Sequence, residues 1–218
     1  MLKIEKASKR YKGQWVLKDI NLQFDNKGCY GIVGINGSGK TLLLKALAGY
    51  LKLDQGHVYQ DQREIRCGYH YITDAGIVIE NLQFISHLTL RENLEWLKGL
   101  CQHSGQINLD YWIDWYQLKP FEQTAYRYLS LGTKKKLALI QAFMDQPKIL
   151  VLDEPMSALD EESVAKTQSL IKQHCQTGLA IITSHYKEDI RAVCETVYHI
   201  KEGKVIAQGS EFLKPVRD

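Results

Sequence analysis

The chain has 218 residues, 44% of them hydrophobic, which suffices for the core of one domain carrying one sizeable insertion. Its net charge of +3 lacks the strongly basic balance of a nucleic-acid binder, and no uncharged apolar run approaches the ~18 residues that a membrane span requires. The cysteines at 29, 67, 101, 175 and 194 are odd in number, scattered and without a CxxC pair, a pattern that predicts reduced thiols, mostly packed as small core residues in an intracellular setting.

The N-terminal stretch Met1-Leu2-Lys3-Ile4-Glu5-Lys6-Ala7 alternates apolar and polar residues like a strand, with no sign of a secretory leader. The same alternation runs through residues 2–27 and 56–66, broken by turn residues at Lys12-Gly13 and Asp25-Asn26-Lys27-Gly28, and predicts an antiparallel β flank. Next comes a short apolar run, Cys29-Tyr30-Gly31-Ile32-Val33, followed by Gly34-Ile35-Asn36-Gly37-Ser38-Gly39-Lys40-Thr41 and a helical pattern over 42–48 that Gly49 stops. Strand, glycine loop and helix in that order make a P-loop. Its glycines let successive N–H groups point inward, and the helix dipole adds positive potential where phosphate oxygens sit. Lys40 would reach the β- and γ-phosphates, and the Thr41 hydroxyl would ligate Mg²⁺, an ion that needs few protein ligands. Asn36, Gly37, Ser38, Gly39 and Leu42 complete the predicted cradle for ATP.

Further apolar β-like runs lie at 76–79, 149–152, 180–183 and 197–200, with helical patterns between several of them, so a mainly parallel sheet covered by helices is expected. From about 84 to 140 the β-branched runs stop. Leu90, Leu94, Leu97 and Leu100 recur there at helical spacing, and Trp96, Trp112 and Trp115 read as the filling of a small core. The predicted fold is therefore α/β: a P-loop NTPase core over 1–83 and 141–218, with an antiparallel β flank and an inserted helical subdomain over 84–140, all in a single domain.

Ile149-Leu150-Val151-Leu152-Asp153-Glu154 is an apolar strand ending in two carboxylates. Beside a P-loop, Asp153 would hold Mg²⁺ through its water shell, and Glu154 would orient or deprotonate the attacking water. Ile181-Ile182-Thr183-Ser184-His185 is a second buried strand that ends in a histidine. Between these features, Leu129-Ser130-Leu131-Gly132-Thr133 precedes a helical run that begins Lys134-Lys135-Lys136. A serine hydroxyl, a glycine amide and a helix N-terminus together make a phosphate receptor, although Ser130 reads equally as an ordinary helix cap. The lysine run reads as a solvated face.

Over essentially its whole length the chain resembles the ATP-binding cassette ATPases, the nucleotide-binding subunits of ABC transporters. Residues 129–133 match the LSGGQ signature at Ser130 and Gly132, with Leu131 and Thr133 in place of a glycine and the glutamine. The resemblance implies a head-to-tail dimer, of identical or different cassettes, with ATP sandwiched between the P-loop of one subunit and Ser130 and Gly132 of the other. It also implies that Asp160, in Pro155-Met156-Ser157-Ala158-Leu159-Asp160, contacts the partner across the dimer, besides capping the helix that follows. His185 would touch the γ-phosphate as the switch histidine, and Tyr11, close before Val16, would stack on adenine.

One position departs from the family. Glu80 stands where the Q-loop glutamine is expected, with Gln83 as the fallback; a glutamate can also ligate Mg²⁺, and this substitution resembles exporters of the lantibiotic-immunity type. Residues 84–89 and 121–128 lie where family members receive a helix of the membrane subunit. These features imply an ATPase at the cytoplasmic face of the membrane, attached through a transmembrane permease and working in export rather than import. The alternatives are a soluble cassette ATPase acting on ribosomes or DNA, and a catalytically silent regulatory subunit. The first lacks its usual coiled coil, zinc modules or second cassette, and the second is disfavoured because Lys40, Asp153, Glu154 and His185 are all present.

Overall fold

The computed structural model describes residues 1–80 and 83–209. Two sheets face each other. The first is antiparallel, ordered β2-β1-β4-β5, from β1 (Leu2–Tyr11), β2 (Gln14–Phe24), β4 (Gln55–Gln60) and β5 (Arg63–Ile65). The alternating pattern of the N-terminal region thus becomes a flank with one buried face: Leu2 and Ile4 are fully or almost fully buried, as are Leu17, Ile20 and Phe24. Register shifts in β1 around Ala7 accompany left-handed backbone at Lys6 and Asp19.

The second sheet is ordered β10-β9-β3-β8-β7-β6, from β3 (Gly28–Val33), β6 (Ala75–Val78), β7 (Ile149–Asp153), β8 (Leu179–Thr183), β9 (Thr196–Lys201) and β10 (Lys204–Gly209). All neighbours are parallel except β10 on β9. Helix α1 (Lys40–Ala48) lies between the sheets, where Leu43, Leu44 and Leu47 join the apolar layer built by Ile32, Val151, Ile181 and Ile200. The opposite face of the parallel sheet is covered by α4 (Leu131–Phe143), α5 (Glu161–His174) and α6 (Lys187–Val193), in one core with the inserted helices α2 (Leu90–Lys98) and α3 (Leu109–Trp115). Burial of β7 and β8 on both faces explains why they read as unbroken apolar runs.

The inserted region corrects two expectations. Trp112 is buried and Trp115 half-buried, but Trp96 is 54% exposed. Helix α2 buries Leu90, Asn93 and Leu94, and a residue two positions beyond Leu94 falls on the opposite face. Leu100 lies past the end of α2 and is also exposed, so the leucine series ends one member early. The insertion is tied to α5 by a buried bond of 2.9 Å between the Tyr116 and Thr167 hydroxyls. All five cysteines are free thiols, with Cys29 and Cys194 buried.

Candidate nucleotide site

Three parallel strands deliver the predicted chemistry to one edge. β3 runs into the glycine loop, β7 ends on Asp153, and β8 ends just before Ser184 and His185. This carboxyl edge is where parallel α/β sheets open a crevice, because the loops there diverge to helices on opposite faces.

The loop is shaped by backbone. Gly39 has φ 109°, and a Cβ there would sit 2.9 Å from the Val16 carbonyl oxygen, so neither the conformation nor the space admits a side chain. Val16 is thereby placed against the loop. Helix α1 starts at Gly39 without a side-chain cap, which leaves its first amides open. The Ser38 Oγ is buried without a hydrogen-bond partner among the described residues. Lys40 is only 6% exposed, and its Nζ donates to the carbonyls of Gly34 at 2.8 Å and Ile35 at 3.3 Å. A buried ammonium folded over its own loop, next to an unpartnered hydroxyl and free helix amides, is a site prepared for an anion.

The acids are held just as specifically. Thr41 Oγ1 donates to Asp153 Oδ2 at 2.8 Å, and Thr183 Oγ1 donates to Asp153 Oδ1. Glu154 takes left-handed backbone with φ 48°, a conformation that costs a non-glycine residue about 1–2 kcal/mol. Its N–H donates to Thr183 Oγ1 at 3.0 Å, and its Oε2 lies 3.0 Å from His185 Nδ1. Thr183 therefore serves both carboxylate residues, a role its place inside an apolar strand gave no sign of.

Ser130 caps α4, its Oγ accepting from the Thr133 N–H at 3.1 Å and lying 2.8 Å from Thr133 Oγ1. Leu131 beside it is 62% exposed. A Cβ on Gly132 would come 2.7 Å from the Ala158 carbonyl oxygen, so this position must be glycine for the 155–160 loop to lie against α4. Asp160 caps α5 by accepting from Ser163 N–H at 2.9 Å, with Lys136 Nζ 2.7 Å away; that ammonium, together with the Ser163 donors, holds its carboxyl below the usual carboxylate range.

The family model for ABC transporters matches residues 17–157. The chain belongs to the ABC transporter family. It is 32% identical over 94% of its length to the ABC transporter ATP-binding protein YybJ of Bacillus subtilis (strain 168), covering 94% of that protein. The identity is 28% with the Fe(3+) ions import ATP-binding protein FbpC of Fusobacterium nucleatum subsp. nucleatum, over 94% of this chain but 56% of FbpC. Among solved structures, the dimeric post-hydrolysis state of the ATP-binding cassette MJ0796 bound to ADP and Pi aligns with a TM-score of 0.83 at 24% identity, covering 99% of this chain and 100% of that one. The fold is that of an ATP-binding cassette, and the chain is an ABC ATPase.

In this cassette the lysine run is not the solvated face expected from sequence. Lys134 Nζ lies 4.9 Å from the centre of the Tyr126 ring, Lys136 pairs with Asp160, and Lys135 Nζ donates to the Asp153 carbonyl at 3.1 Å. Burial pulls the Lys135 pKa down, against the opposing pull of Asp153 and Glu154. A signal for Lys135 did exist: at helical spacing it shares a face with the buried Ala138, Leu139 and Ala142.

The remaining candidates are more open. Tyr11, at the end of β1, is 63% exposed, with Lys12 Nζ 5.8 Å from the centre of its ring. Leu42 is half-buried on α1. Glu80, with φ 57°, pairs with Lys45 Nζ at 2.6 Å, and it borders a cavity shared with Gln83, Tyr126, Leu131 and Lys135. The two segments proposed to meet a membrane partner lie side by side: Tyr126 N–H donates to the Leu88 carbonyl at 2.9 Å, Arg127 N–H to that of Ser86 at 3.1 Å, and the Phe84 and Tyr126 rings are 5.2 Å apart. Asn81 and Leu82, between Glu80 and these segments, lie outside the described residues.

Proposed function

We propose that this cassette powers a separate membrane-spanning subunit by ATP hydrolysis, acting at the cytoplasmic face of the membrane as one half of a head-to-tail pair of cassettes. The observation that carries the reading is the convergence of Lys40, Thr41, Asp153, Glu154 and His185 at one sheet edge, with the Ser130 end of α4 exposed beside it. Among the described residues no helix is long and apolar enough to cross a membrane, and the reading leaves the spanning to a separate subunit.

Lys40 and the open amides of α1 bind the phosphates. Thr41 and Asp153 offer hard oxygen donors 2.8 Å apart, a set that fits Mg²⁺, which keeps most of its water shell; when bound, the ion neutralises charge on the β- and γ-phosphates. Glu80 would join this set on leaving Lys45. Tyr11 and Val16 take the adenine side, while Asn36, Gly37, Ser38, Gly39 and Leu42 line the phosphate loop. Glu154 draws the proton from the attacking water, held in place beforehand by His185, whose ring then turns to the γ-phosphate. Ser130, Gly132 and Asp160 act on the nucleotide and loop of the other subunit. The paired segments 84–89 and 121–128, with Phe121 and Tyr128 exposed, receive a helix of the permease. Export is the direction that Glu80 supports.

The test is a pull-down of the tagged chain from detergent-solubilised native membranes. Recovery of a polytopic membrane protein at near-equal stoichiometry supports the reading; recovery only from the soluble fraction, with ribosomes or DNA, replaces it. For the chemistry, Glu154→Gln should lower the ATPase rate by about 10²–10⁴-fold, the usual contribution of a positioned base, while nucleotide binding persists. An unchanged rate would remove Glu154 from the mechanism.

A further inference from the structure

We propose that Lys135 is a positioning residue for hydrolysis: from the signature helix it holds the peptide that presents Glu154. The inference rests on the role proposed for Glu154 above. The peptide between Asp153 and Glu154 is clamped at both ends. Its carbonyl accepts from Lys135 Nζ at 3.1 Å, and its N–H donates to Thr183 Oγ1 at 3.0 Å and to the Thr183 carbonyl at 3.2 Å. Such a clamp has something to oppose, because Glu154 sits at φ 48°, where an L side chain is strained and persists only if its surroundings over-determine it.

The choice of acceptor is informative. A half-buried lysine beside two carboxylates would ordinarily pair with one of them. Lys135 instead takes the backbone oxygen, which leaves both Asp153 carboxylate oxygens to Thr41 and Thr183. The bond consequently fixes the orientation of a peptide plane without competing for the groups assigned to Mg²⁺. It also joins two parts of one subunit that serve different nucleotides in the proposed pair. Ser130 and Lys135 lie on the same helix, so a shift of α4 reaches the Glu154 peptide through one side chain.

Three variants test this: Lys135→Met, which keeps length but removes the donor, Lys135→Arg, which keeps a donor, and the double variant Lys135→Met with Glu154→Gln. The readouts are kcat and KM for ATP, affinity for a fluorescent ATP analogue, and the melting temperature. Lys135→Met is expected to lower kcat about 10–100-fold, as misplacement of a reacting group does, with KM and analogue affinity within about threefold of the wild type. Lys135→Arg should recover most of that loss. The double variant should be no slower than Glu154→Gln alone, because both changes act on the same group. Wild-type kcat in Lys135→Met overturns the proposal, as does a loss confined to KM, or full additivity in the double variant. If Lys135→Met melts too low to assay, Lys135→Leu, shorter and likewise without a donor, replaces it with the same expectations. Failure of the underlying reading looks different: Glu154→Gln would then keep its rate whatever occupies position 135.

Discussion

Helices α1 and α4 each begin beside a glycine and a small hydroxyl residue, yet their first turns are finished in opposite ways. α1 starts from Gly39, has no side-chain cap, and has a buried Ser38 hydroxyl without a partner among the described residues. α4 starts from Ser130, whose hydroxyl is already engaged by both the N–H and the Oγ1 of Thr133. The first helix end is incomplete without an anion, whereas the second is satisfied by its own chain and must exchange internal bonds for any ligand it meets. Such a difference would suit the proposed pair of cassettes, with α1 of one subunit holding the nucleotide and α4 of the other closing on it.

The largest effect expected of this contrast is at α1. Lys40→Ala removes the side-chain ammonium buried against the loop carbonyls, and truncating a buried charged partner costs about 2–5 kcal/mol. Fluorescent-nucleotide titration should show affinity falling roughly 30-fold to several thousand-fold on that scale. Retained affinity would mean that the open amides bind without the lysine. At α4, Gly132→Ala places a Cβ against the Ala158 carbonyl, an overpacking error worth about 1–3 kcal/mol that a melting curve would register. An unchanged melting temperature would show that the 155–160 loop moves aside freely.

Thr133→Val is the subtler probe of the same helix end. It removes the hydroxyl from Ser130 Oγ while preserving shape, so stability should drop by about 0.5–1.5 kcal/mol, the net worth of one hydrogen bond. Single-chain nucleotide affinity should not change, and ATP-dependent pairing measured by light scattering should strengthen as Ser130 is released. Weaker pairing would show that Thr133 belongs to the receptor and does not obstruct it. The smallest effect lies away from both helix ends, at the corner between α5 and β8, where burial lowers the pKa of His174. Its folded pKa lies below the unfolded value of 6.5, so the unfolded chain binds the extra proton first as pH falls. Stability from this group is complete above 6.5 and is lost below it. His174→Gln should flatten the fall in melting temperature through that window, and an equal fall in both proteins would assign it to other groups.

The site was legible wherever its geometry is local. Residues 34–41 form a cradle from consecutive backbone amides, so spacing alone carries the chemistry, and the apolar runs leading into Asp153 and His185 announce strands that end at a parallel-sheet edge. The region from 84 to 143 was less legible because its faces are set by neighbours far away in sequence. Trp96 and Trp112 are the same residue type in similar helical surroundings, yet one faces outward and the other packs near Phe143. The lysine run looked like solvent-facing charge, and its partners Tyr126, Asp153 and Asp160 come from three separate segments.

The order of residues along the chain was enough to establish the P-loop, the antiparallel flank, the parallel sheet and the paired acids, because each depends on backbone periodicity or on contiguous amides. Only folding decided that Thr183 would hold both Asp153 and Glu154, that Glu80 would turn to Lys45, and that Lys135 would reach the Asp153 carbonyl. Those contacts join residues 29, 30, 35 and 18 positions apart, and a side chain chooses such a partner by burial and distance, neither of which exists until the strands have paired and α4 has been laid across them.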